Sequence, residues 1–146
     1  MAEFYPDSIC QVLANDYSEA VIFDVLNHFL PNYDTLSLDY VDHPEGKSFQ
    51  SENGIIRYFI KNKIPQTFYW HRFNNNPDNI MIGADILSDA QLLISLTLTG
   101  TDEKTDEYFS RLKSYLHSET GVISHVVTAD YKDGKDFKNK YGRQAP

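Results

Sequence analysis

Cysteine is almost absent from this chain, since Cys10 is the single one among 146 residues. One thiol cannot form an internal disulfide or supply a multi-cysteine zinc site. Long apolar runs are missing too, and no stretch approaches the ~18 consecutive apolar residues of a membrane-spanning helix. The opening sequence MAEFYPD has neither the basic start nor the apolar stretch of a secretory signal. We therefore expect a cytoplasmic protein with no membrane partner.

Basic residues are also scarce: 13 of them stand against 21 acidic residues, for a net charge of −8. The imbalance is uneven along the chain. Residues 1–54 carry −9 and residues 74–107 carry −6, whereas residues 55–73 carry +4 and residues 108–146 carry +3. Nucleic-acid phosphates repel such a chain, so we expect no nucleic-acid partner. An acidic face can instead steer a basic protein onto itself, although the same charges can serve solubility alone.

The motifs of common enzymes are missing as well. The sequence has no glycine-rich phosphate-binding loop, no GxSxG nucleophile elbow and no HExxH zinc motif. Its histidines are scattered over different predicted elements, and the aspartates of residues 130–136 have the wrong spacing for a calcium loop. Cys10 has no histidine near it in sequence and is typical of a buried structural thiol. We predict a protein without catalysis, metal or cofactor.

What the chain does have is the composition of a globular domain, with 41% apolar and 14% aromatic residues. A chain of this length buries about 68–70% of its unfolded surface, which is enough for a core without disulfides. No linker or repeat divides the sequence. We predict a single domain over residues 1–146, in which the charged residues 128–146 form a loosely packed tail.

Apolar periodicity predicts the elements. Spacings of three and four residues favour a short helix over 8–14, a helix that stops at Pro31, a helix that runs to about residue 62, and the clearest helix over 102–118. Asp16 or Ser18, then Ser48 or Ser51, and then Thr101 are the candidate N-caps of the longer helices. Alternation favours strands over 35–41, 66–73, 80–87, 91–99 and 122–127. Together these predict an α+β fold, a mainly antiparallel five-stranded sheet with about three helices packed on it.

Two local features allow both a structural and a functional interpretation. The acidic residues at the start of the last helix suit the helix macrodipole without any partner, yet they could also meet a cationic active site. The aromatic strand around Trp70 and Arg72 suits core packing, yet this mixture is also typical of recognition surfaces.

The middle of the chain resembles a known class of proteins. Its strand meander FYWHRFNNNPDNIMIGADILSDAQLLISLTLTGT, the helix EYFSRLKSYL and the strand GVISHV lie within residues 66–127. This style is similar to the small bacterial immunity proteins of polymorphic or contact-dependent growth-inhibition toxin systems. The resemblance implies a cytosolic, non-catalytic inhibitor. It would bind a cognate toxin domain, often a nuclease, and cover the active site or an adjacent surface.

Acidic residues are the expected contacts, because they can mimic the phosphates that a basic nuclease cleft binds. The candidate toxin-binding residues are Asp39, Asp42, Glu45, Asp85, Asp89, Asp102, Glu103, Asp106 and Glu107, joined by Trp70 and Arg72. The alternative is a small-ligand-binding protein or an enzyme with a pocket on the sheet face, around Tyr69, His71 and Asp85. A subunit of a larger cytosolic assembly is a further possibility.

Overall fold

The structure is a computed structural model that describes residues 7–38 and 49–142. Its elements are β1 (Asp7–Leu13), α1 (Glu19–Phe29), α2 (Glu52–Lys61), β2 (Gln66–His71), β3 (Met81–Ile86), β4 (Leu92–Thr99), α3 (Asp102–Leu116), β5 (Gly121–His125) and α4 (Gly134–Tyr141). The strands form one sheet in the order β2-β3-β4-β1-β5, and every neighbouring pair is antiparallel. The described part of the chain is therefore an α+β fold with five strands and four helices.

The predicted fold is wrong about the first element, because residues 8–14 do not form a helix. They belong to β1, which pairs with β4 on one side and β5 on the other. All but the first residue of β1 are buried, so the strand lacks the alternation that marks a half-exposed strand. The spacing of Ile9, Val12 and Leu13 happens to fit a helix equally well.

A second correction concerns the strand predicted over residues 35–41. Residues 35–38 are not a strand, and residues 39–41 lie outside the described part. Leu36 packs against the core, and its backbone N–H donates to the carboxylate of Glu52 at 2.7 Å. Leu36 and Leu38 therefore alternate with polar residues although they belong to no strand. The Glu52 side chain accepts the backbone hydrogen bond that a neighbouring strand would otherwise accept.

The helix count also needs correction, from about three to four. The additional helix, α4, lies within the segment expected to be a loose tail. Asp133 is its N-cap and accepts a hydrogen bond from the backbone N–H of Asp136. Phe137 on this helix is fully buried against Leu13, Leu87 and Leu93. The buried Phe137 ring, with Tyr131 and Tyr141 packed beside it, therefore helps to anchor the segment to the sheet.

The three longer helices begin as the sequence predicts. Ser18, Ser51 and Thr101 are the N-caps, and each side chain accepts a hydrogen bond from a backbone N–H in the first turn. α3 ends at its C-cap residue His117, which adopts the left-handed conformation with φ of 52°. The first turns of these helices are thus encoded by capping residues.

The two faces of the sheet differ in what covers them. On the helix-covered face, α1, α2 and α3 bury the main apolar core, which includes Phe68, Trp70 and Ile94. On the open face, α4 covers a smaller cluster of apolar residues, and polar side chains occupy most of the remainder. Within the described ranges, no helix has the length and apolar character needed to cross a membrane.

Candidate functional site

A groove of about 380 Å³ lies on the open face of the sheet, and we call it the sheet-face groove. Side chains from β1, β2, β3 and β4 form its floor, and residues from the segment 126–131 form a wall. Its chemically distinctive lining residues are the carboxylates of Asp7 and Asp85 and the rings of Tyr69 and Tyr131. Of the sequence-predicted pocket residues, the structure places Tyr69 and Asp85 here, whereas His71 is not among the lining residues.

Gly83 makes room for the groove. It lies between Tyr69 and Ser95 in the register of three adjacent strands. A Cβ atom at this position would lie 2.3 Å from the Oγ of Ser95 and 3.0 Å from the ring of Tyr69. Because glycine has no side chain, the Tyr69 ring can lie directly against the backbone of the next strand.

Asp85 is the half-buried centre of a hydrogen-bond network in the groove. Its Oδ1 accepts from the hydroxyl of Thr67 at 2.9 Å, and its Oδ2 accepts from the hydroxyl of Tyr131 at 2.8 Å. Burial, and then the neighbouring carboxylate, raises the pKa of Tyr131 above its ordinary value, so this hydroxyl remains a protonated donor. In the described part of the chain, no basic side chain forms an ion pair with Asp85.

The wall of the groove is fixed by a residue that the sequence reasoning overlooked. Gln11, a buried polar side chain on β1, accepts a hydrogen bond from the backbone N–H of Ala129 at 2.9 Å. This bond and the Tyr131–Asp85 bond hold the segment 126–131 across the sheet. A lone glutamine within an apolar stretch was the available signal, because a buried amide requires a hydrogen-bond partner.

A second candidate surface is on α3, where four acidic residues are exposed. We call them the α3 acidic face: Asp102, Glu103, Asp106 and Glu107. At 100° per residue these positions span about 140° of the helix circumference. None of the four forms an ion pair with a described basic residue. Their neighbour Lys104 instead pairs with Asp78 at 2.7 Å.

Asp89 has a structural role that the sequence did not reveal. Its carboxylate accepts hydrogen bonds from the backbone N–H groups of Gly134 at 3.0 Å and Lys135 at 2.9 Å, at the start of α4. Burial works against ionisation, but these bonds outweigh it and lower the pKa of Asp89 from its ordinary value. The carboxylate therefore anchors α4 and is already engaged within the chain.

The remaining predicted contacts are not assembled into one surface. Trp70 is fully buried, and its Nε1 donates to Glu52 at 3.0 Å, so the ring offers no surface to a partner in this structure. Arg72 donates to the carbonyl of Pro31 at 2.9 Å. Three further candidates lie outside the described residues: Asp39, Asp42 and Glu45.

A larger groove, of about 750 Å³, lies between α1 and α3. His28 and Tyr115 stack in it with their ring centroids 4.4 Å apart, and the Tyr115 hydroxyl donates to the backbone carbonyl of Asp24 at 3.2 Å. Arg111 also lines the groove. These contacts connect the two helices to each other.

Two further features concern chemical reactivity: the thiol of Cys10 and the arrangement of possible metal ligands. Cys10 is fully buried, and burial together with the charge of Asp106 raises the pKa of its thiol to about 12. A thiol with this pKa is a poor nucleophile at neutral pH. Among residues 7–38 and 49–142, no three His, Cys, Asp or Glu side chains are arranged so that they could hold a metal ion.

No protein-family model, curated protein or solved structure matches this chain. Function is therefore inferred from the chain's own surfaces. The α3 acidic face and the sheet-face groove lie on opposite faces of the sheet. They can consequently be tested separately.

Proposed function

We propose that this protein is a non-catalytic inhibitor that binds and neutralises a cognate bacterial toxin domain, the role that its resemblance to immunity proteins implies. The observation that carries the proposal is the α3 acidic face, where four exposed carboxylates form no ion pair with a described basic residue. Glu107 attracts its neighbour Lys104, but the ion pair of Lys104 is with Asp78. The net charge of −8 adds a long-range attraction toward basic proteins.

The folded chain gains little stability from this arrangement of acidic residues. Asp102 with Asp106, and Glu103 with Glu107, are like-charged pairs four residues apart, and each such pair destabilises a helix by about 0.2–0.5 kcal/mol. The helix macrodipole favours acidic residues only in the first turn, so it does not offset the charges of Asp106 and Glu107. A basic partner would relieve this repulsion.

A basic partner surface is typical of nuclease toxins, because their substrate clefts must attract phosphate groups. Carboxylates set along one helix face can occupy such a cleft in place of phosphates. Electrostatic complementarity of this kind raises association rate constants to about 10⁸–10⁹ M⁻¹s⁻¹ at low salt. The proposed inhibitor would therefore bind rapidly and in a salt-sensitive manner.

The test is a binding-kinetics measurement against the toxin domain encoded beside this gene, at two salt concentrations. We expect the Asp106→Lys/Glu107→Lys variant to lower the association rate constant at least about tenfold and to reduce its salt dependence. The matched control, Asp16→Lys/Asp24→Lys, makes the same change in net charge beside the C-terminal half of α3 and outside the α3 acidic face, and it should have a much smaller effect. Equal effects of the two variants would show that the α3 acidic face is not the binding surface.

A further inference from the structure

We propose that the sheet-face groove is a binding site for a guanidinium group, either free on a small molecule or carried by an arginine side chain. The groove combines two carboxylates, two tyrosine rings and a few accessible apolar side chains, which include Met81 and Val126. This site is independent of the α3 acidic face.

The charge of the groove selects a cation. Asp7 and Asp85 both line it, and none of the described lining residues is basic. Asp85 is half-buried, and the hydrogen bonds that it accepts come from two neutral hydroxyl groups, those of Thr67 and Tyr131. Asp7 is exposed and accepts a hydrogen bond from the hydroxyl of Thr99, so Asp85 is the carboxylate whose partial burial favours pairing with a cation. The groove therefore holds a negative charge that the described residues leave uncompensated.

The hydrogen-bond geometry favours a planar, multidentate cation. Each Asp85 oxygen accepts one bond within the chain, and an ionised carboxylate offers about four lone-pair sites in total. A guanidinium group presents parallel N–H donors that can engage both oxygens together, whereas an ammonium group acts as a single point charge. The carboxylate of Asp85 thus retains acceptor capacity on both oxygens for a bidentate ligand.

The aromatic lining supports the same ligand class. Tyr69 lies against Gly83 on the floor, and Tyr131 belongs to the wall. A guanidinium plane stacks on aromatic faces and is attracted to them by the cation–π interaction. The apolar side chains of Met81 and Val126 can contact the methylene stem of an arginine-like ligand. A volume of about 380 Å³ lies at the lower end of the range of small-molecule sites.

The test is an NMR titration of the full chain with three probes that share one alkyl stem: butylguanidinium, butylammonium and butylurea. Butylurea has the shape of butylguanidinium but no charge. We expect butylguanidinium to shift the amide signals of Gly83, Ser95 and Tyr131, butylammonium to bind more weakly, and butylurea not to bind. Equal binding of butylurea, or shifts confined to residues outside the groove, would overturn the proposal.

Two variants separate this site from the rest of the molecule. Asp85→Asn removes the charge and keeps one acceptor oxygen, while its amide nitrogen can donate to the other hydroxyl, and it should weaken butylguanidinium binding at least about tenfold. The matched control Asp106→Asn removes one charge from α3 and should leave the affinity within about twofold. If Asp85→Asn does not fold, Tyr69→Leu is the second variant, since this side chain is 42% exposed, and it should weaken binding severalfold. Unchanged affinity in a folded variant contradicts the assignment.

The source of the guanidinium group is distinguished by a further probe, the blocked tripeptide acetyl-Gly-Arg-Gly-amide. Binding of this peptide as tight as that of butylguanidinium indicates an arginine on a protein partner. Binding of the free probe alone indicates a small metabolite. If toxin neutralisation fails while butylguanidinium still binds, only the proposal for the α3 acidic face is wrong.

Discussion

The two faces of the sheet differ in what their side chains contact, and β4 shows this difference within one strand. Leu92, Ile94 and Leu96 point into the main core beneath three helices. On the other side, Ser95 and Thr97 line the sheet-face groove, and Leu93 contacts the small cluster around Phe137. The helix-covered face therefore supplies most of the stability, while the open face keeps polar side chains available for a ligand.

The contrast also explains why α4 is needed. Three leucines on or beside the open face, Leu13, Leu87 and Leu93, would be exposed without the Phe137 side chain. An exposed apolar patch promotes association with other chains. One short helix covers this patch and leaves the groove beside it accessible.

The largest expected effect is on the helix-covered face. Ile94→Ala removes methyl groups from a position with 0% exposure, and a cavity in a tightly packed core costs about 2–5 kcal/mol. Urea denaturation followed by circular dichroism measures this loss in the free energy of unfolding. A loss below about 1 kcal/mol would show that the core is less tightly packed than described.

Leu93→Ala sharpens the comparison, because Leu93 directly precedes Ile94 on β4 and its side chain lies on the opposite, open face of the sheet. Leu93 is also buried, but its contacts are with the small α4 cluster. Because α4 can shift to fill the space, we expect a loss at the lower end of the same range, about 2 kcal/mol. If the loss equals that of Ile94→Ala in the same urea experiment, the two faces contribute equally to stability.

Asp89→Ala should have a smaller and more local effect. It removes the acceptor for the N–H groups of Gly134 and Lys135, and loss of a capping acceptor costs about 1 kcal/mol. Hydrogen exchange should accelerate in residues 134–141 and remain unchanged in the central strands. Asp89→Asn, which retains an acceptor oxygen, is the control, and acceleration throughout the sheet would contradict an anchoring role confined to α4.

The smallest effect is a pH dependence. Hydrogen bonds from Lys104 and Tyr108 outweigh burial and lower the pKa of Asp78 below its ordinary value of 3.8. A lowered folded-state pKa contributes stability above the unfolded pKa, and this contribution is lost as the pH falls through the folded value. Asp78→Asn should therefore reduce the melting temperature slightly at pH 7 and less at pH 2. A constant difference between these pH values would contradict the ionic contribution.

Sequence reasoning succeeded where a local signal was also the structural cause. Ser18, Ser51 and Thr101 cap their helices directly, so a capping residue before an apolar stripe was sufficient evidence. In β4 the buried side chains alternate with partly exposed ones over most of the strand, and the sequence shows that period. Both signals depend only on residues within the element.

The predictions that failed have one cause in common: at these positions, residues far away in the sequence determine the structure. β1 is buried by strands that follow about eighty or more positions later, so no local pattern marks it. The groove depends on Tyr131 meeting Asp85 and on Ala129 meeting Gln11. Asp89 looked like an exposed turn residue, because its partners at Gly134 and Lys135 belong to a segment with little apolar periodicity.

The position of β1 between β4 and β5 has a consequence for the nascent chain. At a synthesis rate of about 5–20 residues per second, β1 waits about 4–16 s for β4, its first partner, to be made. Throughout that interval the apolar side chains of β1 are exposed to solvent and to other nascent chains. Because β1 pairs only with late segments, sheet formation has a high contact order and should be slow. This protein is thus expected to depend on a holding chaperone during synthesis.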